Sequence, residues 1–146
     1  MKDYEFFDFT YRIINKYNNK SKRPKYYGTE HLLYLSEVHM IEVIGEHRCL
    51  TATQIAQLQG ITKGAVSQTT NKLSKKGLIK KEVSPIGNNE ISISLTDSGK
   101  IVYDNHLKYH KDLITAVSSL VNELPNESLN ILKQILSIID EELDTY

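Results

Sequence analysis

Three histidines have the type and spacing to hold a metal ion. His106 and His110 stand four apart in DNHLKYHKDL, so on a helix both imidazoles project from one face. That suits two nitrogen donors on one zinc ion, at Zn–N distances of roughly 2.0–2.1 Å. His39 opens a second helical stretch, SEVHMIEVIGEH. If the two helices meet, three histidines converge. The plainer alternative leaves His106 and His110 on a solvated polar face and His39 partly buried with its bonds satisfied. Cys49 is the only cysteine, which excludes an internal disulfide and a zinc ribbon. A redox role would need a lowered thiol pKa, for which neighbouring Arg48 is weak support, so Cys49 reads as structural. No phosphate-binding glycine loop, nucleophile elbow or H-E-x-x-H is present. The acids never pair in a catalytic pattern, so the chain does not read as an enzyme.

A second set of residues carries nucleic-acid chemistry. Residues Thr51 to Lys81 read as two short helices, a tight turn and a strand. Thr51 and Gln54 form a T-x-x-Q capping box. Gly60 breaks the first helix, whose apolar side is Ile55, Ala56 and Leu58, and Ile61 plugs the turn. Thr62 can cap the second helix, and Val66, Thr69, Thr70 and Leu73 give it an inner face. Gly77 stands where a left-handed C-terminal cap is wanted. Ala56, Gly60 and Val66 have the spacing of a helix-turn-helix. The outer face of the second helix is then Lys63, Ser67, Gln68 and Asn71. Gln and Asn can pair with adenine, Lys with guanine, and Ser with base or phosphate. Thr62 and the free N–H groups beside it can hold a phosphate. Lys72, Lys75, Lys76, Lys80 and Lys81 supply positive charge for the DNA backbone, which gives affinity without sequence information.

The elements that must position these residues follow from the pattern. The chain has 146 residues, enough for one domain with a substantial core. Its formal net charge is zero. Six lysines nevertheless fall between Gly60 and Lys81 with no acid among them, and the other 12 basic residues face all 18 acids. Such an asymmetry turns one face towards DNA. No apolar run approaches the roughly 20 residues of a membrane span, and MKDYEFFDF is no signal peptide, so the cytoplasm is expected. A first helix is expected from Tyr4 to Tyr17, with Phe6, Phe7, Phe9, Ile13, Ile14 and Tyr17 on its apolar side. The basic linker from Asn18 to Lys25 follows, then an irregular lead-in, and Ser36 is the expected cap of the next helix. Leu78–Val83 and Glu90–Leu95 read as paired strands around the turn SPIGNN, which makes a wing after the helix-turn-helix. Thr96 opens a long helix that Pro125 ends. In the last helix Leu129, Leu132, Leu136, Ile139 and Leu143 form one apolar row and Ile131, Ile135 and Ile138 a second. Two rows predict burial from both sides, hence a partner chain. No internal repeat is present.

ITKGAVSQTTNKLSKKGLI, then the hairpin and ISLTDSGK, resembles the MarR family of bacterial winged-helix transcription regulators, and the resemblance extends over almost the whole chain. It implies a mainly α fold with a small β-hairpin wing. Residues 36–96 would form the winged helix-turn-helix lobe, and residues 1–30 and 97–146 the dimerisation helices. It further implies a homodimer, most simply a repressor, on a pseudo-palindromic operator. Family wings usually carry an Asp-x-Arg element; SPIGNN has no basic residue, so the wing contact falls to Asn88 and its neighbour Asn89. SEVH followed by HLKYH resembles the zinc-responsive branch of that family. There a histidine of the second helix joins two histidines four apart in the fifth, and a carboxylate from the loop between helices one and two completes the site. That implies zinc on His39, His106 and His110, with Glu30 the acid available in the corresponding loop. The branch's cysteine-containing second site has no counterpart, since Cys49 lies elsewhere. Two other readings stay open: a family member that binds a small aromatic effector, for which the nine tyrosines could line a pocket, and a winged-helix protein-interaction module.

Overall fold

A computed structural model describes residues 3–83 and 90–143. The turn SPIGNN, with Asn88 and Asn89, lies outside the described residues. The chain divides into two compact units, residues 1–108 and 109–146.

The first unit begins with α1 (Asp3–Ser21), followed by a minimal hairpin of β1 (Lys25–Tyr26) and β2 (Leu32–Leu33). α1 is longer than the pattern suggests. Four of the residues expected on its inner side, Phe7, Phe9, Ile13 and Tyr17, are about half exposed or more in the single chain.

The core is built on α2 (Leu35–His47), whose Val38, Ile41 and Ile44 are fully buried. The helix starts earlier than a Ser36 cap would place it. Tyr34 is extended, and its N–H donates to the Glu37 carboxylate at 2.9 Å. An N3 carboxylate is a stronger acceptor for that orphan donor than a hydroxyl, so Ser36 lies inside the first turn and His39 in the second.

β3 (Leu50–Thr51) passes directly into α3 (Ala52–Gln59). The capping box forms as expected: the Gln54 N–H donates to Thr51 Oγ1 at 3.3 Å, and the Thr51 N–H donates to Gln54 Oε1 at 2.8 Å. Gly60 then takes a left-handed conformation, φ 63°, open to glycine at least cost. α3 contributes Ile55 and Ala56 to the core, while Leu58 and Ile61 remain exposed. A helix of two turns has only one edge to bury. α4 (Lys63–Lys75) is capped by Thr62, whose Oγ1 accepts from the Ala65 N–H at 3.2 Å, and it buries Val66, Thr70 and Leu73. Gly77 follows with φ 67°.

β4 (Ile79–Val83) and β5 (Ile91–Leu95) pair antiparallel, Ile79 opposite Leu95 and Lys81 opposite Ile93. β3 joins the other edge of β5, Leu50 opposite Ile93, giving the order β3-β5-β4. Two residues are too few for a period-2 signal, so this third strand is invisible in the sequence. Ile93 and Leu95 are buried, whereas Val83 and Ile91, at the wing end, are exposed.

α5 (Asp97–Glu123) starts at a third threonine cap. Thr96 Oγ1 accepts from the Gly99 N–H at 3.1 Å and donates to the Gly77 carbonyl at 2.6 Å. A Cβ at Gly99 would collide with the Leu78 backbone carbonyl. α5 buries Val102 and His106 in the first unit. In the second unit α5 ends before Pro125, whose carbonyl accepts from the Leu129 N–H in the first turn of α6 (Asn126–Leu143). Ile131, Leu136 and Ile138 from both apolar rows of α6 are more than half exposed. Among the described residues no helix is long and apolar enough to cross a membrane.

Candidate nucleic-acid interface and metal centre

α4 presents the polar face that its sequence predicts. Lys63, Ser67, Gln68, Asn71, Lys72 and Lys75 are all exposed, opposite the buried Val66, Thr70 and Leu73. The Thr62 hydroxyl is engaged as the helix cap. Two free N–H groups of the first turn still point out of the helix beside it, at the positive end of the dipole.

The remaining lysines differ from one another. Lys81 Nζ donates to Asn71 Oδ1 at 2.7 Å, which ties β4 to α4 and occupies the Asn71 carbonyl rather than its amide nitrogen. Lys80 forms an exposed pair with Glu82 at 3.1 Å. Lys76 is different: its Nζ lies 2.7 Å from Glu37 Oε1 and also donates to the Leu32 carbonyl at 3.1 Å. It is directed into the protein, so its assignment to DNA-backbone charge is corrected by the buried partner that claims it.

The second site lies between α2 and α5 within the first unit. His39, Glu42 and His106 offer ligand atoms that all fall within 4.8 Å of one another. His106 is buried, and its Nε2 stands 3.2 Å from Glu42 Oε2. The His39 and His106 ring centroids are 5.4 Å apart. Tyr17 of α1 stacks on His39 and brings its hydroxyl to 3.2 Å from His39 Nδ1. Tyr27 meets the His106 ring edge-on at 5.8 Å. Burial, and secondly the Glu42 carboxylate, hold the Tyr17 phenol above its usual pKa.

The donor set fits zinc. A tetrahedral ion about 2.0–2.1 Å from each donor holds its ligand atoms roughly 3.4 Å apart. The His106–Glu42 separation of 3.2 Å is close to that value, and in the tautomer whose Nδ1–H donates to the Tyr17 hydroxyl, His39 carries its ligating lone pair on Nε2. Of the residues expected in the site, His39 and His106 come together. Glu30 and His110 are outside this group of three: Glu30 is exposed in the turn between β1 and β2, and His110 belongs to the second unit. The sequence reading missed Glu42. Its signal was present, since Glu42 follows His39 by three residues and so shares its helical face. Cys49 is exposed, with Sγ 2.6 Å from Ser92 Oγ, and takes no part in the cluster; it is not a core residue.

Residues 34–85 match the profile of the MarR family. The chain is 27% identical over 142 residues to the HTH-type transcriptional regulator TcaR of Staphylococcus aureus (strain Newman), covering 94% of this chain and 91% of that one. It is 26% identical over 112 residues to the HTH-type transcriptional regulator PchR of Bacillus subtilis (strain 168), which is 74% of this chain and just under two thirds, 66%, of that relative's length. Among solved structures it is similar to Lactococcus lactis ZitR in complex with DNA, with a TM-score of 0.72, 21% identity and 98% of both chains covered. ZitR is described as a zinc-responsive MarR family member.

Proposed function

We propose that this chain is a MarR-family homodimeric transcriptional regulator that binds a pseudo-palindromic operator, as a repressor, under the control of zinc; the family match over residues 34–85 and the likeness to TcaR and ZitR support the reading. The observation that carries the reading is the α4 surface, where a capped helix presents Lys63, Ser67, Gln68 and Asn71 outward with Lys72 and Lys75 at its basic end. α4 enters the major groove, Gln68 and Asn71 read base edges, Lys63 and Ser67 contact base or phosphate, and Lys72, Lys75 and Lys80 neutralise the backbone. Asn88 supplies the wing contact. His39, Glu42 and His106 hold the metal. Zinc supplies an electrostatic bond between α2 and α5 and so favours one arrangement of the DNA-binding lobe. A protein acting on an operator works in the cytoplasm. ZitR, solved with DNA and described as zinc-responsive, supports both halves of the reading.

The test is selection of duplex fragments by the purified protein with zinc and with a strong chelator, followed by affinity measurement at increasing salt. Selective retention that falls steeply with salt and weakens under chelator is the expected result. Retention insensitive to salt removes the DNA reading, and binding unchanged by chelator removes the zinc reading. A specific observation favours a small effector as the second reading. A cavity of about 560 Å³ is lined by Ile44, Gly45 and Tyr103 with Arg48, Lys100 and Asp104.

A further inference from the structure

Glu37 is a buried acid that neither the metal cluster nor the DNA face uses. It is 5% exposed, and both of its oxygens are engaged. Oε2 accepts from the Tyr34 N–H that opens α2, and Oε1 receives Lys76 Nζ at 2.7 Å from the residue that closes α4. The Lys76 ammonium also holds the Leu32 carbonyl of β2. Three chain segments therefore meet at one ion pair: the end of the hairpin, the first turn of α2 and the last turn of α4. Burial makes this geometry demanding. A carboxylate out of water and without its cation is costly, so the pair tolerates little separation. It stands at the end of α4 opposite Thr62 and Lys63, so a change of helix angle there displaces the whole outer face, Gln68 and Asn71 included and Lys63 most of all.

We infer that Glu37 and Lys76 are positioning residues for DNA recognition: the pair fixes the angle of α4, and Lys76 contributes to affinity through Glu37 rather than by touching phosphate. The inference rests on the proposal that α4 meets DNA. It separates Lys76 from Lys72 and Lys75, its neighbours in the same basic run.

The experiment is a double-mutant cycle of Glu37→Gln, Lys76→Met and both together, with Lys72→Met as the comparison. Two quantities are read: operator affinity as a function of salt, and amide exchange in α2 and the last turn of α4. A phosphate contact would lower the slope of log affinity against log salt by about 0.9, as expected for Lys72→Met. Lys76→Met should instead weaken operator binding roughly tenfold, as one lost positioned contact does, at an unchanged slope. Glu37→Gln removes no cation, yet it should weaken binding in the same direction. The double variant should be no worse than Lys76→Met, because it no longer leaves a buried charge unpaired. A lowered slope for Lys76→Met, or operator binding unaffected by Glu37→Gln, overturns the inference. If the native chain binds no duplex, the DNA reading fails by itself. The exchange cycle then decides the brace: amides of both helices should open faster together and non-additively, and independent changes overturn it.

Discussion

At the scale of single residues, the metal cluster is decided by one carboxylate. Glu42 lies 3.2 Å from His106 Nε2 and also raises the Tyr17 phenol. Glu42→Gln and His106→Ala should each lower zinc affinity by at least about tenfold, read by competition with a chromophoric chelator. Tyr17 offers an optical check. Its neutral form is favoured on folding, chiefly by burial and then by Glu42. The stability this lends is complete below the ordinary phenol range and is lost as pH rises through the raised value. Glu42→Gln should therefore move the Tyr17 phenolate absorbance to lower pH, and an unmoved titration would detach Glu42 from the site. How far this scale was legible depends on the residue. His39 and His106 were found because imidazoles are rare and their ligand chemistry is narrow. Glu42 was one of 18 acids, and only the partner helix reveals which acid faces a histidine. Lys76 was misread for the same reason, since nothing in the basic run marks a lysine whose partner lies 39 positions away.

Helices and strands carry their own signatures, and the element scale was the most readable. Thr51, Thr62 and Thr96 all stand at helix starts, because a hydroxyl that accepts an orphan N–H is a local device. Thr62→Ala should cost about 1 kcal/mol of stability, seen as a lower melting temperature. Gly99→Ala should cost more, since the added methyl meets the Leu78 carbonyl, which cannot step aside without shifting the strand that follows it. If Gly99→Ala melts no lower than the native chain, that close approach is not a constraint. The elements that escaped sequence reading are the two-residue ones. β1, β2 and β3 exist through pairing with distant residues, and a pair of residues has no period.

At the scale of the whole molecule, each of the two units carries an unanswered apolar surface. Tyr4, Phe7 and Tyr11 on α1, and Leu136 and Ile138 on α6, are each more than half exposed in one chain. Exposure on that scale marks a surface meant to be covered, and we propose a second copy as the cover. Sedimentation should show a dimer at micromolar concentration. Placing glutamate at both Leu136 and Ile138 should shift it to monomer and weaken operator binding, because two linked half-sites bind more tightly than one. A native chain that sediments as a monomer would refute the dimer. The sequence announced this face through the two rows of α6. For α1 only the family resemblance pointed to a partner, since an amphipathic pattern shows that a face needs burial without saying what buries it.

Thr51 ends a strand and caps a helix at once, with no residue between β3 and α3. In kinematic terms this is a welded joint rather than a hinge. Rotation of α3 about that point would break either the Gln54 cap or the ladder to Ser92. Motion that reaches the DNA-binding helices must then carry the sheet with it as cargo, and the chain has no slack there to absorb an extra residue. Single-glycine insertions should be tolerated in the turn between β1 and β2 and rejected between Thr51 and Ala52. Such a scan would map the seams along which evolution can lengthen this chain.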